Sequence, residues 1–222
     1  MEPSQPVRTR WHILFSILAA AAVALGIGFR LWNITGEPLW LDEAYSAYAA
    51  SKGFDFLWEI VPRYETHPPF YYSLLKLWTL IFGDSLAGLR SLGVVFGIVA
   101  VGAGIVAARE IGRTIGLEPA NRILLMGGAA MLLALATLPI EMTREVRPYP
   151  VMALTYSTII ALLFRLSSRM GAGGPLWGRA YAAYLMLLAL LLWLHNLGVL
   201  YAAASGLALL ILCFRRSWTG RD

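Results

Sequence analysis

A single cysteine, Cys213, stands among 222 residues, which excludes an internal disulfide, and no Cys/His spacing of the zinc-binding kind is present. Charge is scarce too: 14% of residues are Asp, Glu, Lys or Arg, against about 25% in an average soluble protein. There is no acidic or basic block, no collagen-like repeat and no Gly-rich phosphate loop, so disordered tails, fibres and the familiar nucleotide folds are set aside. The net charge of +5 does not point to nucleic acid, because the arginines occur in ones and twos between apolar runs and not on one face. What the chain holds in excess is apolar surface, with 59% hydrophobic residues and a mean hydropathy of +0.65. These values predict an all-α, polytopic membrane helical bundle forming one module over residues 1–222.

A hydrocarbon core of about 30 Å takes roughly 20 helical residues. Apolar runs near that length cover residues 11–29, 91–108, 123–140 and 148–164. The first exceeds a signal peptide's apolar region and is expected to stay as an anchor. Residues 180–214 are too long for one span and are broken by His195-Asn196-Leu197-Gly198, so they read as two helices with a tight turn. Residues 68–83 are apolar but short, with Lys76 in the middle. If this segment does not span, Arg8, Arg10, Arg109, Arg113, Arg122, Arg165, Arg169, Arg179, Arg215, Arg216 and Arg221 all face the cytoplasm, as the positive-inside rule requires. It is therefore expected to lie along the membrane surface, with the Tyr71, Tyr72 and Trp78 rings at headgroup level and Lys76 snorkelling. About six spans result, in the cell (inner or plasma) membrane, with both termini cytoplasmic.

On this topology the outer face carries residues 30–90 and 141–147, with nine of the thirteen acidic residues. Any chemistry is expected there, since long loops are uncommon unless functional. Helical patterns cover residues 42–52 and 54–64. Three segments carry the polar groups. In Pro38-Leu39-Trp40-Leu41-Asp42-Glu43-Ala44-Tyr45, adjacent carboxylates point in different directions from a helix and serve separate partners. Either one acts as a base on a hydroxyl, or both complement the dipole at the helix start. In Glu65-Thr66-His67-Pro68-Pro69-Phe70-Tyr71-Tyr72, the prolines fix an extended entry before a helix. His67 then either donates to a phosphate oxygen or hydrogen-bonds Glu65. In Glu141-Met142-Thr143-Arg144-Glu145-Val146-Arg147-Pro148-Tyr149, the charges are either solvated turn residues or an arginine fork for a phosphate. His195, Asn196 and Arg90 serve equally as outer-site residues or as interface anchors. Gly93 and Gly97 form a GxxxG assigned to helix packing.

These three segments, in this order, resemble the N-terminal half of the GT-C membrane glycosyltransferases that use polyprenyl-phosphate sugars, in particular the bacterial RgtA/B/C/D-like group related to protein O-mannosyltransferases and aminoarabinose transferases. The acidic pair of the first outer loop is matched by Asp42-Glu43, the His-Pro-Pro-hydrophobic-Tyr-Tyr segment by residues 67–72, and the Ser/Thr-x-Glu-x-Arg-x-Tyr segment by residues 143–149. Gly83-Asp84-Ser85 and Leu89-Arg90 also stand at familiar places, and the His195 turn is similar to the family's Thr-His-Tyr-x-Gly. The resemblance covers residues 30–150. Family members are longer, so the chain is expected to lack the family's C-terminal region.

The resemblance implies an inverting transfer of a sugar from a polyprenyl-phosphate donor to a lipid, glycan or protein acceptor in the cell envelope. Asp42, with Glu43 beside it, is the implied catalytic acid pair, Asp42 serving as general base. His67, Arg90 and Arg147 are the implied phosphate ligands, and Glu145 and Tyr149, with His195, are implied to position loops or sugar. No cofactor is called for and no metal is assigned, adjacent carboxylates being poor evidence for a divalent ion. Two rival readings stay open. One is a truncated, non-catalytic membrane module that binds lipid or a partner, in which Asp42 is dispensable. The other is a lipid-sugar transporter subunit, which predicts polar residues along a path through the spans.

Overall fold

A computed structural model describes residues 5–65 and 67–219, with side chains placed for residues 11–65 and 67–214. The side chains of Arg8, Arg10, Arg215 and Arg216, and residues Thr66 and Arg221, lie outside that set. Every regular element among the described residues is a helix. The long ones are α1 (Gln5–Leu31), α5 (Leu86–Thr114) and α8 (Tyr149–Gly171), each long and apolar enough to cross a membrane. A fourth span results if α6 (Pro119–Leu135) and α7 (Thr137–Thr143), which meet at 56°, count as one. The apolar helices α4 (Phe70–Phe82), α9 (Arg179–Leu194) and α10 (Gly198–Thr219, apolar to Phe214) are shorter. By length and composition, then, three to four spans reach the width where the hydropathy pattern predicts six.

The break between α6 and α7 has a chemical cause. Pro139 has no N–H to offer the Leu135 carbonyl, and its ring crowds that oxygen. The helix therefore ends early and leaves carbonyls without helical donors. Arg30, at the end of α1, meets them: its Nη1 donates to the Ala134 and Gly26 oxygens at 2.7 and 3.0 Å, and its Nη2 to the Leu133 oxygen at 3.1 Å. Counted in the sequence as the first residue of an exposed segment, Arg30 is instead 2% exposed. A guanidinium at the negative end of α6 is favourable in both charge and hydrogen bonding.

Small residues set the helix spacing. A side chain at Gly93 would strike the Thr143 and Glu145 carbonyls, and one at Gly97 the Thr143 side chain. The GxxxG thus packs the end of α7 against α5, a packing role. At the opposite end of α5, Thr114 Oγ1 donates to the Phe164 oxygen at 3.0 Å and pairs with Ser168 Oγ at 2.7 Å, so α5 and α8 run side by side in the same direction. The starts of α5 and α8 and the ends of α1 and α7 therefore share one end of the bundle.

That end is covered by residues 32–85. Within them α2 (Leu41–Ser51), a π-helical turn at Phe56–Ile60 and α3 (Val61–Tyr64) precede α4. Pro62 accounts for the widened turn, because it cannot donate to the Trp58 carbonyl. Tyr71 and Tyr72 depart from expectation. They are 2% and 3% exposed, packed into the core with Leu57, Leu75, Leu89, Val146 and Leu194 and not turned outward. α4 is apolar on two faces, and the one bearing Tyr71, Tyr72 and Leu75 is covered by the bundle, while Leu77, Leu80 and Ile81 stay exposed. Trp78 is half-buried and donates to Ser91 Oγ at 2.9 Å. Lys76 lies over the Phe54 ring.

Candidate functional site

The first turn of α2 sends its two carboxylates to different partners. Trp40 precedes the helix in extended conformation, and Glu43 reaches back to accept from the Trp40 N–H at 3.3 Å, which fixes the turn. The same carboxylate is 1% exposed and closes a dense set of contacts. It accepts from Arg90 Nε at 3.2 Å, from Arg90 Nη2 at 2.9 Å and from the Val146 N–H at 2.8 Å. Arg90 donates further to the Ile34 and Glu37 oxygens, both at 2.9 Å, and to the Pro38 oxygen at 3.3 Å. All five of its N–H groups are engaged. Arg90 is thus a strut tying residues 34–38 and α2 to α5, and it has no donor left for a phosphate. Glu43 is the other half of that strut, its carboxylate already occupied by the Arg90, Val146 and Trp40 donors.

Asp42, one residue earlier, faces outward. Its side chain is 41% exposed and pairs with Arg147 Nη1 at 3.1 Å. Arg147 is 9% exposed, lies over the Trp40 and Tyr149 rings with its carbon 5.8 Å from each centroid, and keeps a buried Nε–H without a partner. The backbone of Val146 is held by Glu43, so the strut positions the neighbouring Arg147.

Tyr149 opens α8, and its ring lies 6.1 Å from that of His195. His195 ends α9 and is buried. Its Nδ1 accepts from the Leu197 N–H at 3.1 Å, and its Nε2 is 3.1 Å from His67 Nε2. His67 Nδ1 in turn lies 2.8 Å from Glu65 Oε1. Burial, then His67 and Arg147, holds His195 below its ordinary value.

Glu145 faces a polar cavity of about 450 Å³, lined also by Glu37, Trp40, Glu43, Arg90, Glu141 and Arg144. Burial, then the Glu43 carboxylate, pushes Glu145 up. Among the described residues, no group of three or more His, Cys, Asp or Glu is placed to hold a metal ion.

The structure therefore joins Asp42, His67, Arg147, Tyr149 and His195 in one continuous cluster, assigns Glu43 and Arg90 to the support beneath it, and places Glu145 on the adjoining cavity. Three contributors escape a reading of the sequence as outer-site residues. Trp40 supplies a ring for Arg147. Tyr71 has a buried hydroxyl without a partner, and burial pushes it well up while Arg147 pulls it down. Arg30 closes the break beneath the site. Trp40 and Tyr71 each carried a signal, their place in segments already singled out; Arg30 carried none. Compared with family models, with curated proteins and with solved structures, the chain matches none.

Proposed function

We propose that this chain is a membrane glycosyltransferase module that moves a sugar from a polyprenyl-phosphate donor to an acceptor hydroxyl at the outer face of a cell membrane. In this reading α1, α5, the bent pair α6 and α7, α8, α9 and α10 make six spans, both termini are cytoplasmic, and α2–α4 lie at the outer interface. The observation that carries the reading is the pairing of a half-exposed Asp42 with an Arg147 whose buried Nε–H has no protein partner. Asp42 accepts the proton of the acceptor hydroxyl as that oxygen attacks the anomeric carbon from the face opposite the phosphate. The bond between the anomeric carbon and the phosphate oxygen breaks with inversion, its electron pair stays on that oxygen, and polyprenyl phosphate leaves. Arg147 stabilises the charge that develops on the leaving oxygen through its permanent positive charge, in a site partly closed to water. His67 stands on the same rim, and Tyr149 and Trp40 fix the guanidinium by stacking. Glu43 and Arg90 hold this arrangement without touching substrate.

The test is release of polyprenyl phosphate from a panel of polyprenyl-phosphate sugars by the purified protein in lipid, with membrane extract as acceptor. Asp42→Asn keeps the shape and removes the base, and a fall of about a hundredfold or more supports the reading. Equal release by wild type and variant overturns base catalysis by Asp42. Absence of release from both, with the protein folded and its donor in the panel, favours the non-catalytic module.

A further inference from the structure

The two histidines meet in a way that fixes every proton between them. His195 Nδ1 accepts from the Leu197 N–H, so in the neutral ring the proton is on Nε2. That proton points at His67 Nε2, 3.1 Å away, which must accept. The proton of His67 is therefore on Nδ1, where Glu65 Oε1 receives it at 2.8 Å. One directional chain results, from Leu197 N–H through His195 and His67 to Glu65, and it closes only while both rings are neutral. A proton added to His67 Nε2 faces the hydrogen already on His195 Nε2. A proton added to His195 Nδ1 faces the Leu197 N–H. Neither ring is charged without losing a contact.

The contact spans 128 residues and adds a polar link between two pieces that also pack through apolar side chains. On one side are Glu65 and the Pro68-Pro69 entry to α4. On the other is the turn between α9 and α10. The rings of Trp58 and Trp193, 5.5 Å apart, extend the same seam.

We propose that Glu65, His67 and His195 form a clasp between the entry to α4 and the α9–α10 turn, closed when both histidines are neutral and opened by proton uptake. The charged and titratable groups facing it are Glu65 before α4, Arg147 and Tyr149 at the start of α8, and Tyr45 of α2 and Tyr72 of α4 near Glu65. Burial opposes charging of His195, and His67 and Arg147 oppose it further. The closed clasp therefore binds fewer protons on His195 than the open one, so acid shifts the balance toward opening. The clasp is independent of sugar transfer, since it is built from the ring geometry and the burial of His195.

The test uses the full chain in lipid nanodiscs, with Cys213→Ser, Tyr64→Cys and Val199→Cys carrying spin labels. Tyr64 and Val199 are exposed, at 84% and 55%, and lie on the two sides of the seam. Between pH 8 and pH 5 the ratio of long to short label distances is expected to rise by about tenfold or more. His67→Gln, which still accepts from His195 and donates to Glu65 but does not titrate in this range, is expected to remain short throughout. Nitrogen shifts of labelled histidine in the unsubstituted chain give a second reading that needs no folded variant. At pH 8 they should show His195 protonated on Nε2 and His67 on Nδ1. The clasp is overturned by label distances that do not move while the histidines take up protons, by the same shift in His67→Gln, or by the opposite tautomers.

Discussion

Asp42 and Glu43 are neighbours in sequence and each pairs with an arginine, yet the two pairs are built for different work. Glu43 and Arg90 are 1% and 7% exposed, and every N–H of the arginine is engaged. Asp42 and Arg147 are 41% and 9% exposed, and the arginine keeps a donor in reserve. The difference teaches that in a membrane bundle a paired charge is assigned by the saturation of its hydrogen bonds, not by its type. A saturated pair is a strut, and an unsaturated one at a rim is a site. The strut also serves the site, because Glu43 holds the Val146 N–H beside Arg147.

The comparison breaks most sharply on the strut side. Glu43→Ala leaves Arg90 buried without its counter-charge, and a loss of about 3–5 kcal/mol is expected, read as a large fall in thermal unfolding temperature in detergent. Asp42→Asn should do the reverse. Stability changes by less than about 1 kcal/mol, since the pair is half in solvent, while release of polyprenyl phosphate falls about a hundredfold, near 2.7 kcal/mol of barrier. If Asp42→Asn unfolds the protein as Glu43→Ala does, the two pairs are one network and the distinction fails. Gly93→Ala pushes on the Thr143 and Glu145 carbonyls and so displaces the segment leading to both pairs. It should cost about 1–3 kcal/mol by overpacking, with stability and transfer falling together in one set of melts and assays.

The smallest effect is on the pH dependence of stability. His195 is held below 6.5, first by burial and then by His67 and Arg147, so the folded chain binds fewer protons there than the unfolded one. Its contribution is intact above pH 6.5 and is lost as the pH falls below that value. A shallow fall in unfolding temperature is expected there, and His195→Gln should remove it.

Much of this arrangement is legible in the sequence, for identifiable reasons. The apolar runs, the helical patterns over 42–52 and 54–64, and the turn at His195 follow from hydropathy, capping and breaker residues, which act locally. The opposite directions of Asp42 and Glu43 follow from helical geometry. Other features depend on distant partners. Arg30 reads as a loop residue because the carbonyls it meets belong to Leu133 and Ala134, and those are exposed only by Pro139. Tyr71 and Tyr72 read as headgroup rings because an apolar helix face carries no mark saying whether lipid or protein covers it. Arg90 reads as a phosphate ligand because the acceptors that occupy it, including the Ile34, Glu37 and Pro38 carbonyls, are backbone groups with no side-chain signature.

The sequence by itself determined that the chain is helical with stretches apolar enough to cross a membrane, and that its polar groups concentrate in segments 30–90 and 141–147, because periodicity and charge placement are properties of neighbours along the chain. The tertiary structure alone decided which carboxylate is sealed and which is open, which arginine keeps a free donor, and that His67 meets His195. Those outcomes depend on burial and hydrogen-bond saturation, and both are set by residues that come together only when the helices pack.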